Sequence, residues 1–119
     1  MDMVKSVRTF IGSRNFEESR SFYREWGFKE YRIGPTMSYF ETGPQLGFYL
    51  QDYKVKDWID NTMMFLEVED LDAYWEYITT KNLADKFGIK IKPIQNERWG
   101  REFFVYDPAG ILWHIGTFY

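Results

Sequence analysis

His114 is the only histidine of this 119-residue chain, and there is no cysteine. A thiolate nucleophile, a disulfide and a cysteine metal ligand are therefore excluded. Histidine titrates near neutral pH, so His114 is a candidate for a polar contact to a ligand or for a general base. The alternative is a histidine that is hydrogen-bonded within a partly buried sheet and has no role in binding.

Aromatic residues make up 21% of the chain, and the formal net charge is −3. A core of this size does not need so many rings, so we expect some of them to line a pocket or an interface. Lys and Arg are scattered singly, which argues against nucleic-acid binding because that requires a positive stripe. No apolar stretch approaches the roughly 20 residues of a membrane helix, and no signal-peptide pattern is present. These features predict a cytoplasmic globular domain over residues 1–119.

The sequence repeats the character of one segment, because residues 8–17 correspond to residues 63–72. Each copy reads as an apolar strand, a short polar stretch and the start of a helix. Asn15 and Asp70 suit the N-cap of a helix, and Gly27 suits the end of one. Three candidate strands follow each helix, separated by turn signals. They are residues 28–33, 36–41 and 46–51 in the first copy, and 89–94, 101–106 and 111–118 in the second.

The order of elements is therefore βαβββ twice. A single helix does not cover both faces of its sheet, so two modules must share a core. We expect an α+β fold in which two βαβββ modules form a cupped, incompletely closed mixed sheet with helices on the outside. Module one spans about 4–52, a linker about 53–61 and module two about 62–119. A ferredoxin-like α+β domain whose halves are similar by chance is the alternative.

Three segments carry recognisable motifs. Residues 15–23 read NFEESRSFY, residues 68–73 read VEDLDA, and residues 97–110 read ERWGREFFVYDPAG. The first resembles the D-L-x-x-S-x-x-F-Y opening of the vicinal oxygen chelate superfamily. The second resembles the start of that superfamily's second-module helix, and the third its W-G-x-x-x-F-x-x-D-P-x-G signature. The superfamily includes glyoxalase I, bleomycin- and fosfomycin-resistance proteins and extradiol dioxygenases, and the resemblance covers nearly the whole chain.

The resemblance also implies where a metal would be held. Enzymes of the superfamily bind a divalent metal with His, Gln and Glu side chains from the first and last strands of each module. The matching positions in this chain are Arg8, Phe48, Met63 and His114. Arg has no acceptor, Phe has no lone pair and Met is a soft thioether, whereas a catalytic metal site usually has about three protein ligands. We therefore expect no metal and no other cofactor.

Strand alternation assigns further residues to the face of the cup. The predicted ligand-binding residues are Arg8, Phe10, Tyr39, Phe48, Met63, Phe65, Glu67, Trp99, Phe103 and His114. Arg8 has two interpretations. It binds an anionic group or stacks on a ring, or it forms a salt bridge with Glu67, which shares the parity of Met63.

In character the chain is similar to the bleomycin-resistance proteins, which sequester planar aromatic or cationic drugs. That similarity implies a homodimer in which module one of each chain faces module two of its partner. We expect a non-catalytic protein that binds a small aromatic or cationic molecule such as an antibiotic. One alternative is a metal-independent lyase- or isomerase-like enzyme with His114 as base and Arg8 stabilising an oxyanion. Another is an interaction protein whose cup is filled by its own side chains.

Overall fold

The computed structural model describes residues 3–119, which form two βαβββ modules. Module one consists of β1 (Thr9–Ile11), α1 (Phe16–Trp26), β2 (Lys29–Gly34), β3 (Met37–Gly43) and β4 (Leu46–Gln51). A short helix, α2 (Lys56–Asp60), joins it to module two. Module two consists of β5 (Met63–Glu67), α3 (Leu71–Thr80), α4 (Leu83–Phe87), β6 (Ile91–Asn96), β7 (Gly100–Tyr106) and β8 (Leu112–Phe118).

Each module forms a four-stranded mixed sheet. The strand orders are β1-β4-β3-β2 and β5-β8-β7-β6. β1 runs parallel to β4, and β5 runs parallel to β8, whereas the other neighbouring strands are antiparallel. The first and last strand of each module are therefore adjacent, and neither sheet closes on itself. This confirms the fold class predicted from the repeat.

The predicted helix ends are confirmed. The side chain of Asn15 accepts a hydrogen bond of 3.1 Å from the backbone N–H of Glu18, and Asp70 accepts one of 3.0 Å from Ala73. These bonds satisfy amide groups that have no partner within the first turn of a helix. Gly27 ends α1 with φ at 113°, a left-handed conformation that favours glycine.

A single aromatic core connects the two modules. Tyr23 and Trp26 of α1 are completely buried, and Trp113 of β8 is 1% exposed. The Trp113 ring centroid lies 5.0 Å from that of Trp26 and 5.9 Å from that of Tyr23. The helix of module one thus packs on the last strand of module two, which is the shared core that each module requires.

Two short helices lie outside the predicted pattern. α4 places Phe87 edge-on against Phe22 of α1, with ring centroids 5.4 Å apart. α2 buries Ile59 completely, so this residue anchors the joining segment. Among residues 3–119, no helix is long and apolar enough to cross a bilayer.

Candidate functional site

The first candidate surface lies on the side of sheet one that faces away from α1, and we call it face one: Arg8, Phe10, Tyr39 and Tyr49. Phe10, Tyr49 and Tyr39 are in register across β1, β4 and β3. The Phe10 and Tyr49 rings are stacked, with centroids 4.8 Å apart and planes 19° apart. Phe10 is 45% exposed, so half of this ring remains available for contact.

Arg8 lies on these rings. Its Nη1 atom donates a 3.0 Å hydrogen bond to Tyr49 Oη, and its Cζ atom is 4.2 Å from the centroid of Tyr39. A guanidinium over the face of an aromatic ring is a favourable cation–π arrangement. The predicted salt bridge with Glu67 is not formed within the chain, because Arg8 lies against sheet one and Glu67 belongs to sheet two. Arg8 therefore stacks on aromatic rings, and these rings are tyrosines of the protein itself.

The second candidate surface is the equivalent side of sheet two, and we call it face two: Met63, Phe65, Glu102, Phe104 and His114. Phe65, His114 and Phe104 are in register across β5, β8 and β7. Phe65 is roughly parallel to the imidazole, with centroids 6.3 Å apart, and Phe104 meets it edge-on at 4.9 Å. A shallow pocket of about 380 Å³ is lined by Met63, Met64, Phe65, Trp99, Glu102 and His114.

The rim of face two is aromatic. The Trp99 ring centroid lies 5.7 Å from that of Phe65 and 5.0 Å from that of Phe118. Gly116 allows this packing, because a Cβ there would lie 3.0 Å from the Phe65 ring and 3.2 Å from the Trp99 ring. Glu67 is opposite Gly116 in the β5–β8 pairing and is exposed. The structure therefore places Met63, Phe65, Glu67, Trp99 and His114 on or beside one surface.

His114 is held by a carboxylate. Its Nδ1 atom lies 2.8 Å from Glu102 Oε1. The Glu102 side chain is 8% exposed and that of His114 is 24% exposed, so the carboxylate is the more deeply buried of the two. A carboxylate in its ionised form only accepts hydrogen bonds, and with such a partner the ring donates through Nδ1. The second ring nitrogen, Nε2, has no hydrogen-bond partner among residues 3–119.

Two predicted site residues are placed elsewhere. Phe48 is completely buried, with its ring 4.9 Å from that of Tyr23, and Phe103 is completely buried, with its ring 5.0 Å from that of Trp75. Both predictions were wrong by one residue. Neighbouring residues of a strand point to opposite sides of the sheet, so Tyr49 and Phe104 occupy the open faces instead.

The two faces repeat one arrangement. Phe10 pairs with Tyr49 and Tyr49 with Tyr39, while at the corresponding positions of module two Phe65 pairs with His114 and His114 with Phe104. No hydrogen bond, ion pair or aromatic contact joins face one to face two within residues 3–119. Within residues 3–119, face one and face two are therefore two separate surfaces.

The sequence model of the Glyoxalase/Bleomycin resistance protein/Dioxygenase superfamily matches residues 5–115. The chain belongs to this superfamily. The motifs that suggested the resemblance lie within the matched range, and the match is to the superfamily as a whole. No curated protein matches the chain in sequence.

Several solved structures share the fold. The bleomycin-binding protein from bleomycin-producing Streptomyces verticillus, complexed with copper(II)-bleomycin, is 24% identical with a TM-score of 0.81, covering 98% of both chains. TnmS3, an antibiotic binding protein from Streptomyces sp. CB03234, is 17% identical with a TM-score of 0.74, covering 100% of this chain and 99% of the other. A bleomycin resistance determinant encoded on the transposon Tn5 is 17% identical with a TM-score of 0.74, covering 96% and 98%. At these identities the likeness concerns the fold.

The side chains at the positions where enzymes of the superfamily hold a divalent metal do not fit such an ion. With the register of β4 known, the matching positions are Arg8, Tyr49, Met63 and His114. Arg8 has no lone pair to offer, the thioether of Met63 is soft, and Tyr49 accepts a hydrogen bond from Arg8. Within residues 3–119, no group of three or more His, Cys, Asp or Glu side chains is arranged to hold a metal ion.

Three functional candidates were missed by the sequence analysis. Tyr49 was missed because the family's metal-ligand pattern was carried over to its neighbour Phe48, and Phe104 was missed because strand alternation was counted so that Phe103 faced the cup. The sequence did contain a signal for Phe104. His114 was assigned to the open face, and the antiparallel pairing of β7 with β8 places Phe104 opposite His114. Alternation then places Glu102 on the same side as Phe104, but its contact with His114 had no signal in the sequence, since the two residues are at diagonal positions on different strands.

Proposed function

We propose that this protein is a metal-free binding protein for a small, flat aromatic or cationic molecule such as an antibiotic. The ligand lies between face one of one subunit and face two of its partner in a homodimer. The observation that carries the proposal is the stack of half-exposed rings on each sheet, with Phe10 at 45% and Phe65 at 46% exposure. Flat rings of this kind form the walls of sites for planar ligands.

Polar groups among the rings supply orientation. Face one offers the guanidinium of Arg8, and face two offers the imidazole of His114 and the carboxylates of Glu67 and Glu102. Opposite charges on the two faces favour the pairing of one face with the other across a dimer axis. The relatives whose structures have been solved with bleomycin support the choice of ligand class.

An apolar segment in front of β1 supports the homodimer. Met3, Val4 and Val7 are exposed by 87%, 75% and 91%. Exposed apolar side chains that follow one another mark an interaction surface. Val7 also lines a cleft of about 570 Å³ between the modules, together with Leu46, Phe65 and Phe118. A second subunit would cover both features.

Binding is tested by tryptophan fluorescence. Protein treated with EDTA is titrated with bleomycin and with a panel of planar cationic dyes, and we expect saturable quenching with one site per subunit. Phe10→Ala and Phe65→Ala should each weaken binding by about tenfold or more, since each removes one wall of the site. Trp99→Phe identifies the reporter. Quenching that is linear for every compound, or that needs added metal, would contradict the proposal.

The dimer is tested separately by sedimentation. We expect a symmetric dimer at micromolar concentration, and Val7→Asp should shift it toward the monomer. The control is Lys54→Asp, because Lys54 is an exposed residue of the joining segment and does not line the cleft. If the wild-type protein were a monomer at micromolar concentration, face one would have no partner's face two opposite it, and this arrangement would be overturned.

The contact between Glu102 and His114 favours a second candidate function, a metal-independent enzyme. A carboxylate that orients an imidazole is a common arrangement for a general base. Arg8 of the partner subunit's face one would then stabilise a developing oxyanion. The test is a screen of lyase and isomerase substrates, in which His114→Ala must abolish turnover while binding is retained. Absence of turnover that depends on His114 would leave binding as the function.

A further inference from the structure

We propose that Glu102 is a positioning residue that fixes His114 as a hydrogen-bond acceptor, so that face two recognises an N–H or O–H donor on the ligand. This inference rests on the proposed binding function and specifies the chemistry of one wall of the site. Glu102 is almost completely buried, whereas the His114 ring is partly exposed on face two.

The ring of His114 is held on three sides. Glu102 Oε1 lies 2.8 Å from Nδ1, Phe65 lies nearly parallel to the ring with planes 21° apart, and Phe104 meets it at 83°. These contacts leave little freedom of rotation about the side-chain bonds. The edge of the ring that carries Nε2 is therefore presented in one orientation.

Because the partner of Nδ1 is a carboxylate oxygen of Glu102, it determines whether Nε2 donates or accepts a hydrogen bond. A carboxylate has no hydrogen to donate, so the hydrogen of the neutral imidazole is on Nδ1 and the lone pair is on Nε2. In water the neutral ring of histidine prefers the opposite tautomer, with the hydrogen on Nε2. The hydrogen bond to Glu102 thus reverses the ordinary preference and converts the exposed nitrogen into an acceptor.

The surroundings of Nε2 favour a ligand donor over water. The pocket of about 380 Å³ beside His114 is lined mainly by Met63, Phe65 and Trp99. An acceptor among apolar groups gains more from one directed hydrogen bond than an acceptor in bulk water. The Glu102 charge beside the ring makes the approach of an anion unfavourable and that of an amidinium or ammonium group favourable. A phenol would be recognised by its O–H donor alone.

Other charged groups near face two do not cancel this effect. Lys92 is opposite Phe104 in the β6–β7 pairing, but its Nζ atom lies over the Tyr106 ring, 5.8 Å from the centroid. Arg101 forms a bidentate ion pair with Asp72 of α3. Apart from its hydrogen bond with His114, Glu102 contacts no charged side chain in a salt bridge among residues 3–119. Face one carries the guanidinium of Arg8, so face one would bind an acceptor or anionic group of a ligand, whereas face two would bind a donor or cationic group.

The tautomer is directly measurable because His114 is the only histidine. A long-range ¹H–¹⁵N spectrum of the wild-type protein at pH 8 contains the two nitrogens of one imidazole. We expect the shifts of the Nδ1–H tautomer, and in Glu102→Ala a change to predominantly Nε2–H. Glu69→Gln, which removes an exposed charge in the loop after β5, should leave the shifts unchanged. A wild-type spectrum of the Nε2–H form would overturn the inference, whether or not Glu102→Ala folds.

Recognition of a donor is tested with two fragments of equal size, benzamidine as planar cation and benzoate as planar anion. Benzamidine at millimolar concentration should shift the Nε2 resonance, and its affinity should fall by about tenfold in Glu102→Ala, the loss of one hydrogen bond assisted by charge. Benzoate should leave that resonance unchanged. Equal shifts with both fragments, or none with benzamidine, would reject the assignment. Bleomycin quenching is measured in parallel, so that a failure of the proposed function is seen separately.

Discussion

The Tyr23 hydroxyl donates a 2.7 Å hydrogen bond to Asp107 Oδ2, and these residues are 84 positions apart in the chain. Tyr23 lies in α1 of module one, whereas Asp107 begins the turn between β7 and β8 of module two. Trp113 Nε1 donates a further bond of 2.9 Å to the same hydroxyl. The other carboxylate oxygen, Oδ1, accepts from the backbone N–H groups of residues 109, 110 and 111. One buried carboxylate thus closes the turn and joins the two modules.

We expect Tyr23→Phe to lower the free energy of unfolding by about 2–3 kcal/mol, because it leaves a buried carboxylate oxygen and the Trp113 N–H without partners. Urea denaturation followed by circular dichroism measures this loss. Tyr53→Phe is the matched control, since Tyr53 is 55% exposed and its hydroxyl makes no hydrogen bond among residues 3–119. Equal stabilities of the two variants would show that the bond between the modules contributes nothing.

The buried carboxylate of Asp107 also makes the free energy of unfolding depend on pH. Burial raises the pKa of Asp107 to about 6 from 3.8, even though the hydrogen bonds from Tyr23 and the backbone act to lower it. The folded state therefore binds more protons than the unfolded state between these values, and this residue makes the protein more stable as pH falls from about 6 to about 4. Tyr23→Phe removes one bond that holds the pKa down. Its destabilisation should consequently be greater at pH 8 than at pH 5.

Glu30 should make the free energy of unfolding depend on pH in the opposite direction from Asp107. Burial acts to raise its pKa, but hydrogen bonds from Arg20, Ser38 and Arg24 outweigh burial and lower the pKa from 4.5 to about 2. The unfolded state binds more protons within this window, so the stabilisation is present above pH 4.5 and is lost as pH falls toward 2. We expect Glu30→Gln to cost about 3 kcal/mol at pH 7 and much less near pH 2.

The control for Glu30 is Glu25→Gln. Glu25 also pairs with a cation, Lys86, but its side chain is 47% exposed, and surface pairs of this kind contribute little. Denaturation at pH 7 and at pH 2.5 distinguishes the two. If the difference between Glu30→Gln and wild type were the same at both pH values, the ion pairs of Glu30 would have no role in acid stability.

Phe48 and Tyr49 are neighbours in β4 with opposite roles. Phe48→Ala should lower the free energy of unfolding by about 3–5 kcal/mol, because it opens a cavity in the core. Tyr49→Ala, on face one, should cost only about 1 kcal/mol of stability but weaken ligand binding, since Arg8 loses the hydroxyl that holds it. Denaturation and the bleomycin titration together measure both effects. Loss of binding in a folded Phe48→Ala variant, with Tyr49→Ala unaffected, would restore the original assignment.

Gly47 and Gly34 form another matched pair. A Cβ on Gly47 would lie 2.3 Å from the backbone oxygen of Phe40 and 2.4 Å from Tyr39 Oη, whereas a Cβ on Gly34 meets nothing within 4 Å. We expect Gly47→Ala to cost about 1–3 kcal/mol, because the backbone of β3 must move, and Gly34→Ala to be neutral. Similar melting temperatures for both variants would be inconsistent with the close approach at Gly47.

Much of the fold was determined by the sequence itself. The period of two in the strands, the caps at Asn15 and Asp70 and the left-handed Gly27 depend on nearest neighbours, and a strand predicted at residues 46–51 agrees with β4. The repeated order then required two modules to share a core. α4 escaped prediction because its apolar residues are explained only by contact with α1.

The site was determined only in part. The family resemblance assigned Arg8, Met63 and His114 to open faces, and alternation added Phe10 and Phe65. All five lie on these faces. Tertiary structure decided three matters that local pattern does not contain. It set the side on which Phe48 and Phe103 lie, since a register shift of one residue inverts a strand. It gave Arg8 tyrosine partners in place of Glu67. It also placed Glu102 beside His114, because the contact between diagonal positions on two strands depends on sheet twist and side-chain packing, and sequence spacing records neither.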